Sequence, residues 1–210
     1  MLKKLTLIFV LAVLTSIFLA AARNAKRHTR KFTLRSTTFE DNSWIPEKCA
    51  RARAGGNVSP ELHWENAPRE TKSFVLTVID INPVAQRWVH WMVINIPADY
   101  SRLAEGASYQ NMPPGSIQLK NSWAQDTWNG PQPPPKTGVH IYVFTLYALN
   151  VDKVKLQPQR VFRDGRWQDK PSPPKLFYTE KEMLELLKGK IIGKAVLKGK
   201  YELNRNRYIN

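Results

Sequence analysis

Four side chains able to do chemistry sit at the ends of apolar runs. S-F-V-L-T-V-I-D over 73–80 closes on Asp80, W-V-H-W over 88–91 carries His90, and G-V-H-I-Y over 138–142 carries His140 and Tyr142. A carboxylate on an apolar face needs a partner, because burying it alone is costly. Histidine is a natural one, and it changes charge near neutral pH. Two imidazoles and a phenol, brought together, are donors for an oxyanion. Asp80 would then orient a histidine or raise its proton affinity, since carboxylate and anion repel. Such an anion should bind less well as pH rises past the histidine pKa values. The loop N-G-P-Q-P-P-P-K-T-G over 129–138 precedes His140 and contributes Gly130, Pro133, Pro134 and Gly138. Backbone N–H groups between Gly130 and Gly138 are further candidate donors. Two histidines and an aspartate are also a partial metal site for hydrolysis, but no H-E-x-x-H, H-x-E or C-x-x-C spacing accompanies them. Ser59 and Ser73 lie in no nucleophile elbow. The expectation is a ligand pocket without metal, cofactor or catalytic residue.

Strands must deliver these groups to one place. The runs 73–81 and 88–97 are joined by I-N-P-V-A-Q-R over 81–87, short enough for an antiparallel hairpin that puts Asp80 and His90 at the same sheet end. Strict alternation places Phe74, Leu76 and Val78 with Asp80. It groups His90 with Trp88, Met92, Ile94 and Ile96. The stretch 138–149 is apolar on both faces and should be covered on both sides. Further strands are expected at 32–40 and 195–203, with a helix over 179–190 capped by Thr179. Residues 98–136 read as a long irregular region and 150–178 as a polar, proline-containing loop. Fifteen prolines and ten glycines favour this turn-rich, mainly β reading. There is no internal repeat, and 210 residues suit one domain.

The first residues carry a different message. M-L-K-K, an apolar run of about 18 residues and Ala20-Ala21-Ala22 have the order of a cleavable secretory signal peptide over 1–22. That predicts a periplasmic or secreted protein; an uncleaved N-terminal membrane anchor is the alternative. A basic linker over 23–34, which holds His28, follows it. The net charge is +15, or about +13 without the two leader lysines. Such a field attracts anions, including an anionic membrane surface. No zinc-finger spacing or RNA-binding aromatic signature points to specific nucleic-acid binding. With one cysteine, Cys49, no internal disulfide is possible, and E-K-C-A-R predicts a plain thiol rather than a nucleophile. His63 alternates away from Leu62 and Trp64 and reads as a surface residue, and Trp128 reads as a pocket wall beside Gly130.

The chain resembles the phosphatidylethanolamine-binding proteins, and within them the bacterial Raf-kinase-inhibitor-like branch. The matching pieces are G-G-N-V-S-P-E-L-H-W (55–64), S-F-V-L-T-V-I-D (73–80), W-V-H-W-M-V-I-N-I-P (88–97), N-G-P-Q-P-P (129–134), G-V-H-I-Y-V-F-T-L-Y-A-L (138–149) and G-K-A-V-L-K-G-K-Y (193–201). The resemblance implies a β-sandwich of antiparallel sheets over 35–204, with a C-terminal helix and strand and a short tail at 205–210. It also implies a small pocket at one end for phosphate or phospholipid head groups. Asp80 and His90-Trp91 match the family's D-P-D-x-P…H-[WF] signature. Gly138, His140 and Tyr142 match G-x-H-R-Y, and Gly130, Pro133 and Pro134 match the preceding loop. Two positions depart: Asn82 stands for the second acid and Ile141 for the arginine. If that acid holds an ammonium group, ethanolamine selectivity is lost here. The resemblance also permits a second role, a protein-interaction or inhibitor module acting on a protease or kinase through 98–136 and 150–178.

Overall fold

The computed structural model describes residues 30–51 and 55–203. The expected signal peptide, most of the linker and the tail lie outside the described residues. The compact unit begins at Phe32. Phe32 and Leu34 are core residues, so the domain starts inside the stretch assigned to the linker.

Eleven strands are described: β1 Thr33–Arg35, β2 Ser43–Trp44, β3 Leu62–Glu65, β4 Ser73–Asp80, β5 Trp88–Pro97, β6 Arg102–Leu103, β7 Ile117–Gln118, β8 His140–Leu149, β9 Pro158–Arg163, β10 Arg166–Pro174 and β11 Ile191–Tyr201. Helices α1, Ala107–Gln110, and α2, Glu180–Leu187, complete the order. Six strands form the main sheet in the order β2-β11-β8-β4-β5-β7, antiparallel except where β2 joins β11. Strands β1, β3 and β6 form a second, small antiparallel sheet.

β4 is the centre because S-F-V-L-T-V-I-D carries apolar side chains on both faces, and all eight residues are buried. One face packs Phe74, Leu76 and Val78 with Trp91, Trp128, Phe144 and Leu146 beneath the small sheet. The other packs Val75 and Ile79 with Met92, Ile94 and the Met183–Leu187 stripe of α2. Each such side chain contributes about 1.5–3 kcal/mol on burial. Both cores lie within the unit that begins at Phe32, which therefore folds as a body of its own.

α2 starts where a reciprocal capping box satisfies its first turn: Thr179 accepts from the Glu182 N–H and Glu182 accepts from the Thr179 N–H. The helix is shorter than expected, and β11 starts at Ile191, four residues before the expected 195. β1 covers three residues of the expected 32–40. Two corrections are larger. Residues 150–178 are not a plain loop, since β9 and β10 pair across Asp164-Gly165. In β5, strict alternation fails twice. The register skips a residue opposite Val78/Ile79 and again opposite Phe74/Leu76. Each extra residue reverses which face later side chains take. Met92 and Ile94 therefore join the α2 face, while Trp91, Val93 and Ile96 join the other.

Candidate functional site

The first of those bulges builds the site. Ile79 pairs with Val89 and Val78 with Trp91, so His90 is the extra residue. His90 and Trp91 consequently turn toward the same side, the one carrying Asp80 and Tyr142. β8 lies on the other edge of β4, with Asp80 directly opposite Tyr142. Three neighbouring strand ends thus meet at one rim, where a cavity of about 230 Å³ opens.

Asp80 is held by two hydrogen bonds. Its Oδ2 accepts from His140 Nδ1 at 2.6 Å and its Oδ1 from the Asn82 N–H at 2.9 Å. His140 is held by two as well. Its Nε2 pairs with Thr137 Oγ1 at 2.9 Å, and the same hydroxyl bonds Pro134 O at 2.7 Å. His140 lines the cavity as expected from its place at the strand end, but both ring nitrogens have partners in the protein, and the residue fastens the loop to the sheet. Asn82 is a turn residue, accepting from the Val84 N–H at 3.0 Å to cap the short turn Pro83–Ala85. It does not line the cavity.

His90 is different. Its Nδ1–H donates to Asn129 O at 2.6 Å, which leaves Nε2 for a ligand. Burial holds its pKa down to about 4, against the raising influence of the Asn129 carbonyl and the Asp80 charge. With the cavity empty the ring is therefore neutral at pH 7, and Nε2 is an acceptor. Tyr142 is packed edge-on against His90 with ring centroids 4.9 Å apart. Burial, and the Asp80 carboxylate next, push its pKa up. Its buried hydroxyl makes no hydrogen bond of good geometry in the protein, and the Asp80 carboxylate is the polar group that lies close to it.

The remaining wall comes from residues the spacing did not single out: Trp88, Trp123, Gln132, Val84 and Ala85, alongside the expected Pro133 and Pro134. Gln132 Oε1 accepts from Arg51 Nη1 at 3.3 Å, which leaves the amide NH₂ available. Arg51 also donates to Asn129 Oδ1 and lies 4.6 Å over the Trp123 ring. The cavity lining itself contains no lysine or arginine.

Three expected contributors lie elsewhere. Gly130 packs on backbone: a Cβ there would sit 1.8 Å from Cys49 O, and its N–H is taken by Asn57 Oδ1 at 2.8 Å. Its N–H is thus not a donor to the cavity. Gly138 turns the chain into β8 and does not line the cavity. Trp128 is fully buried, stacked on Phe144 and donating to Cys49 O. Cys49 itself is buried, and burial pushes its thiol up to about 12. His63 is half-buried against the Glu61 carboxylate, which Arg102 also reaches. Among the described residues, no group of three or more His, Cys, Asp or Glu is arranged to hold a metal ion.

The family model for phosphatidylethanolamine-binding proteins matches residues 35–202. The chain belongs to the phosphatidylethanolamine-binding protein family. It is 38% identical to YbhB of Escherichia coli over 48% of this chain and 65% of that one, just under two thirds of the relative. It is 32% identical to a Methanothermobacter thermautotrophicus protein over 80% of this chain and 97% of that one. The structure of E. coli YbcL, titled a member of the mammalian family, superposes with a TM-score of 0.69 at 26% identity. That superposition covers 83% of this chain and 99% of YbcL. A Mycobacterium tuberculosis relative, 35% identical over 57% of this chain and 56% of its own, is named a putative lipoprotein. These relatives place the chain in the YbhB/YbcL branch of the family, and its mainly β fold is that of a family member. No helix among the described residues is long and apolar enough to cross a membrane.

Proposed function

We propose that this protein is an exported binding protein whose cavity takes a phosphate-type oxyanion, free or as a phospholipid head group. One observation carries the reading. The Tyr142 hydroxyl is buried at the cavity without a well-formed hydrogen bond, with only the Asp80 carboxylate close by, and a poorly satisfied buried donor costs about 1–3 kcal/mol unless a ligand completes it. The Gln132 amide adds a second neutral donor. His90 Nε2 adds a third once it is protonated, and the anion itself supplies the incentive for that proton. The cavity admits a head group rather than acyl chains. Asp80 already accepts from His140 and Asn82, so phosphorylethanolamine gains little over other phosphate monoesters. Export is supported by the signal-like order of residues 1–22 and by the lipoprotein name of one relative. The reading is one of binding without turnover.

The test is imidazole NMR of His90, assigned by comparison with His90→Gln, titrated with and without phosphate. Affinity rises as pH falls from the His90 pKa of the complex toward about 4, that of the empty cavity. The expected result is a His90 pKa raised by phosphate, with no such rise in Tyr142→Phe. An unchanged His90 titration under saturating phosphate overturns the reading.

A further inference from the structure

The ribbon β9–β10 is mounted on the domain rather than packed into it. Its base is fastened where Lys175 N donates to Gln157 O at 2.9 Å and Gln157 N donates to the Tyr178 hydroxyl at 2.9 Å. Tyr178 belongs to the core beneath α2. Beyond that base the chain turns tightly at Asp164 and Gly165, with φ of 52° and 73°. Two successive left-handed residues are what a two-residue ribbon turn requires.

The tip carries an unusual pair on each face. On one, Phe162 and Trp167 stand directly opposite in register, ring centroids 5.5 Å apart, and both are 60% exposed. On the other, Arg163 stands directly opposite Arg166, and both are exposed. Like charges facing across a ribbon destabilise it. Among the described residues neither guanidinium is paired with a carboxylate, while Arg160, one step further back, is held by Asp169 at 3.4 Å. Two aromatic rings in water and two unneutralised arginines are poor choices for a ribbon meant only to be solvated.

We infer that the β9–β10 tip is a peripheral membrane contact that dips Phe162 and Trp167 into the head-group layer of an anionic lipid surface. Aromatic side chains favour that layer, and arginines near it gain about 1 kcal/mol each from anionic lipid. A six-residue tip is far smaller than the ~800 Å² per partner of a stable protein complex, whereas a lipid surface needs no complementary shape. Stacking nucleic-acid bases need open ring faces, and here the rings pack edge-on at 63°. The chain's +15 charge adds attraction at longer range. The inference stands apart from the cavity reading, because none of these residues lines the cavity.

The test uses the unit from Phe32 onward, so that the apolar N-terminus cannot anchor it. It is sedimented with vesicles of phosphatidylcholine alone and of phosphatidylcholine mixed with phosphatidylglycerol. The expected result is capture by the mixed vesicles only. Arg163→Gln/Arg166→Gln weakens that capture by about twenty-five-fold, at roughly fivefold per arginine. Phe162→Ser/Trp167→Ser removes what survives added salt. Lys194→Gln/Lys198→Gln, exposed on β11, leaves it within about twofold, since those lysines lie off the contact. Unchanged unfolding temperatures show that the variants fold. Capture lost equally in the lysine variant, unaltered in the ribbon variants, or absent from the outset overturns the proposal. So does a ribbon-dependent retention by single-stranded oligonucleotide with no vesicle capture.

Discussion

Tyr142 and His90 share one wall and present opposite problems. The tyrosine has a hydroxyl without a well-formed hydrogen bond, and the histidine has a nitrogen that burial keeps unprotonated. An oxyanion answers both. Without it, His90 makes the fold acid-sensitive. Its folded pKa of about 4 lies below the ordinary 6.5, so between those values the unfolded chain binds more protons and stability rises with pH. The loss on acidification from pH 7 to 4 is roughly 3 kcal/mol, complete only below the folded value. Urea unfolding at pH 7, 5.5 and 4 should show this loss in the wild type and a much smaller one in His90→Gln. Equal losses would mean that other groups control the acid limb. Asp80, His90, His140 and Tyr142 were all legible as candidates, because a titratable residue ending an apolar strand needs a reason to be there. Their division of labour was not. That His140 is a fastener and His90 the ligand-facing ring depends on where Thr137 and the Asn129 carbonyl lie, and both come from a loop with no period to read.

At the scale of elements, the site depends on a bulge and a close approach. The bulge at His90 was invisible to an alternation argument, which assumes that every residue of β5 takes its turn. Met92 and Ile94 were accordingly placed on the wrong face. The approach of Gly130 to the Cys49 carbonyl holds the 129–134 loop over the strand ends, so its lesion is structural. Gly130→Ala puts a Cβ against backbone that has no room to move. It should cost about 2–3 kcal/mol, read as a drop of several degrees in unfolding temperature; an unchanged temperature would show that the loop is not clamped there. The β9–β10 ribbon did announce itself, through Asp164-Gly165 flanked by Val161-Phe162 and Trp167. The prolines and arginines around that dipeptide outweighed it. Trp123 and Gln132 carried no signal of their own, being placed by Arg51 from a distant segment.

Over the whole molecule the family pieces carried the furthest. Six short segments in order conveyed the sandwich, and the two deeply buried strands β4 and β8 conveyed its centre. What they could not convey is how the wall is completed: the cavity lining has no lysine or arginine, and Arg51 lies over Trp123 and holds Gln132. The proposed anion would then rely on neutral donors and on one inducible proton. Because the cavity joins three strands of the main sheet to the loop that closes it, an occupant stabilises the entire fold. The decisive measurement is therefore thermal unfolding of the unit from Phe32 with and without phosphate, in wild type and Tyr142→Phe, with chloride at equal ionic strength as the control. Phosphate at 100 times its Kd should raise the wild-type midpoint by about 5–10 °C and leave Tyr142→Phe nearly unmoved. The same shift in both proteins, or in neither, would contradict an oxyanion held by the Tyr142 hydroxyl.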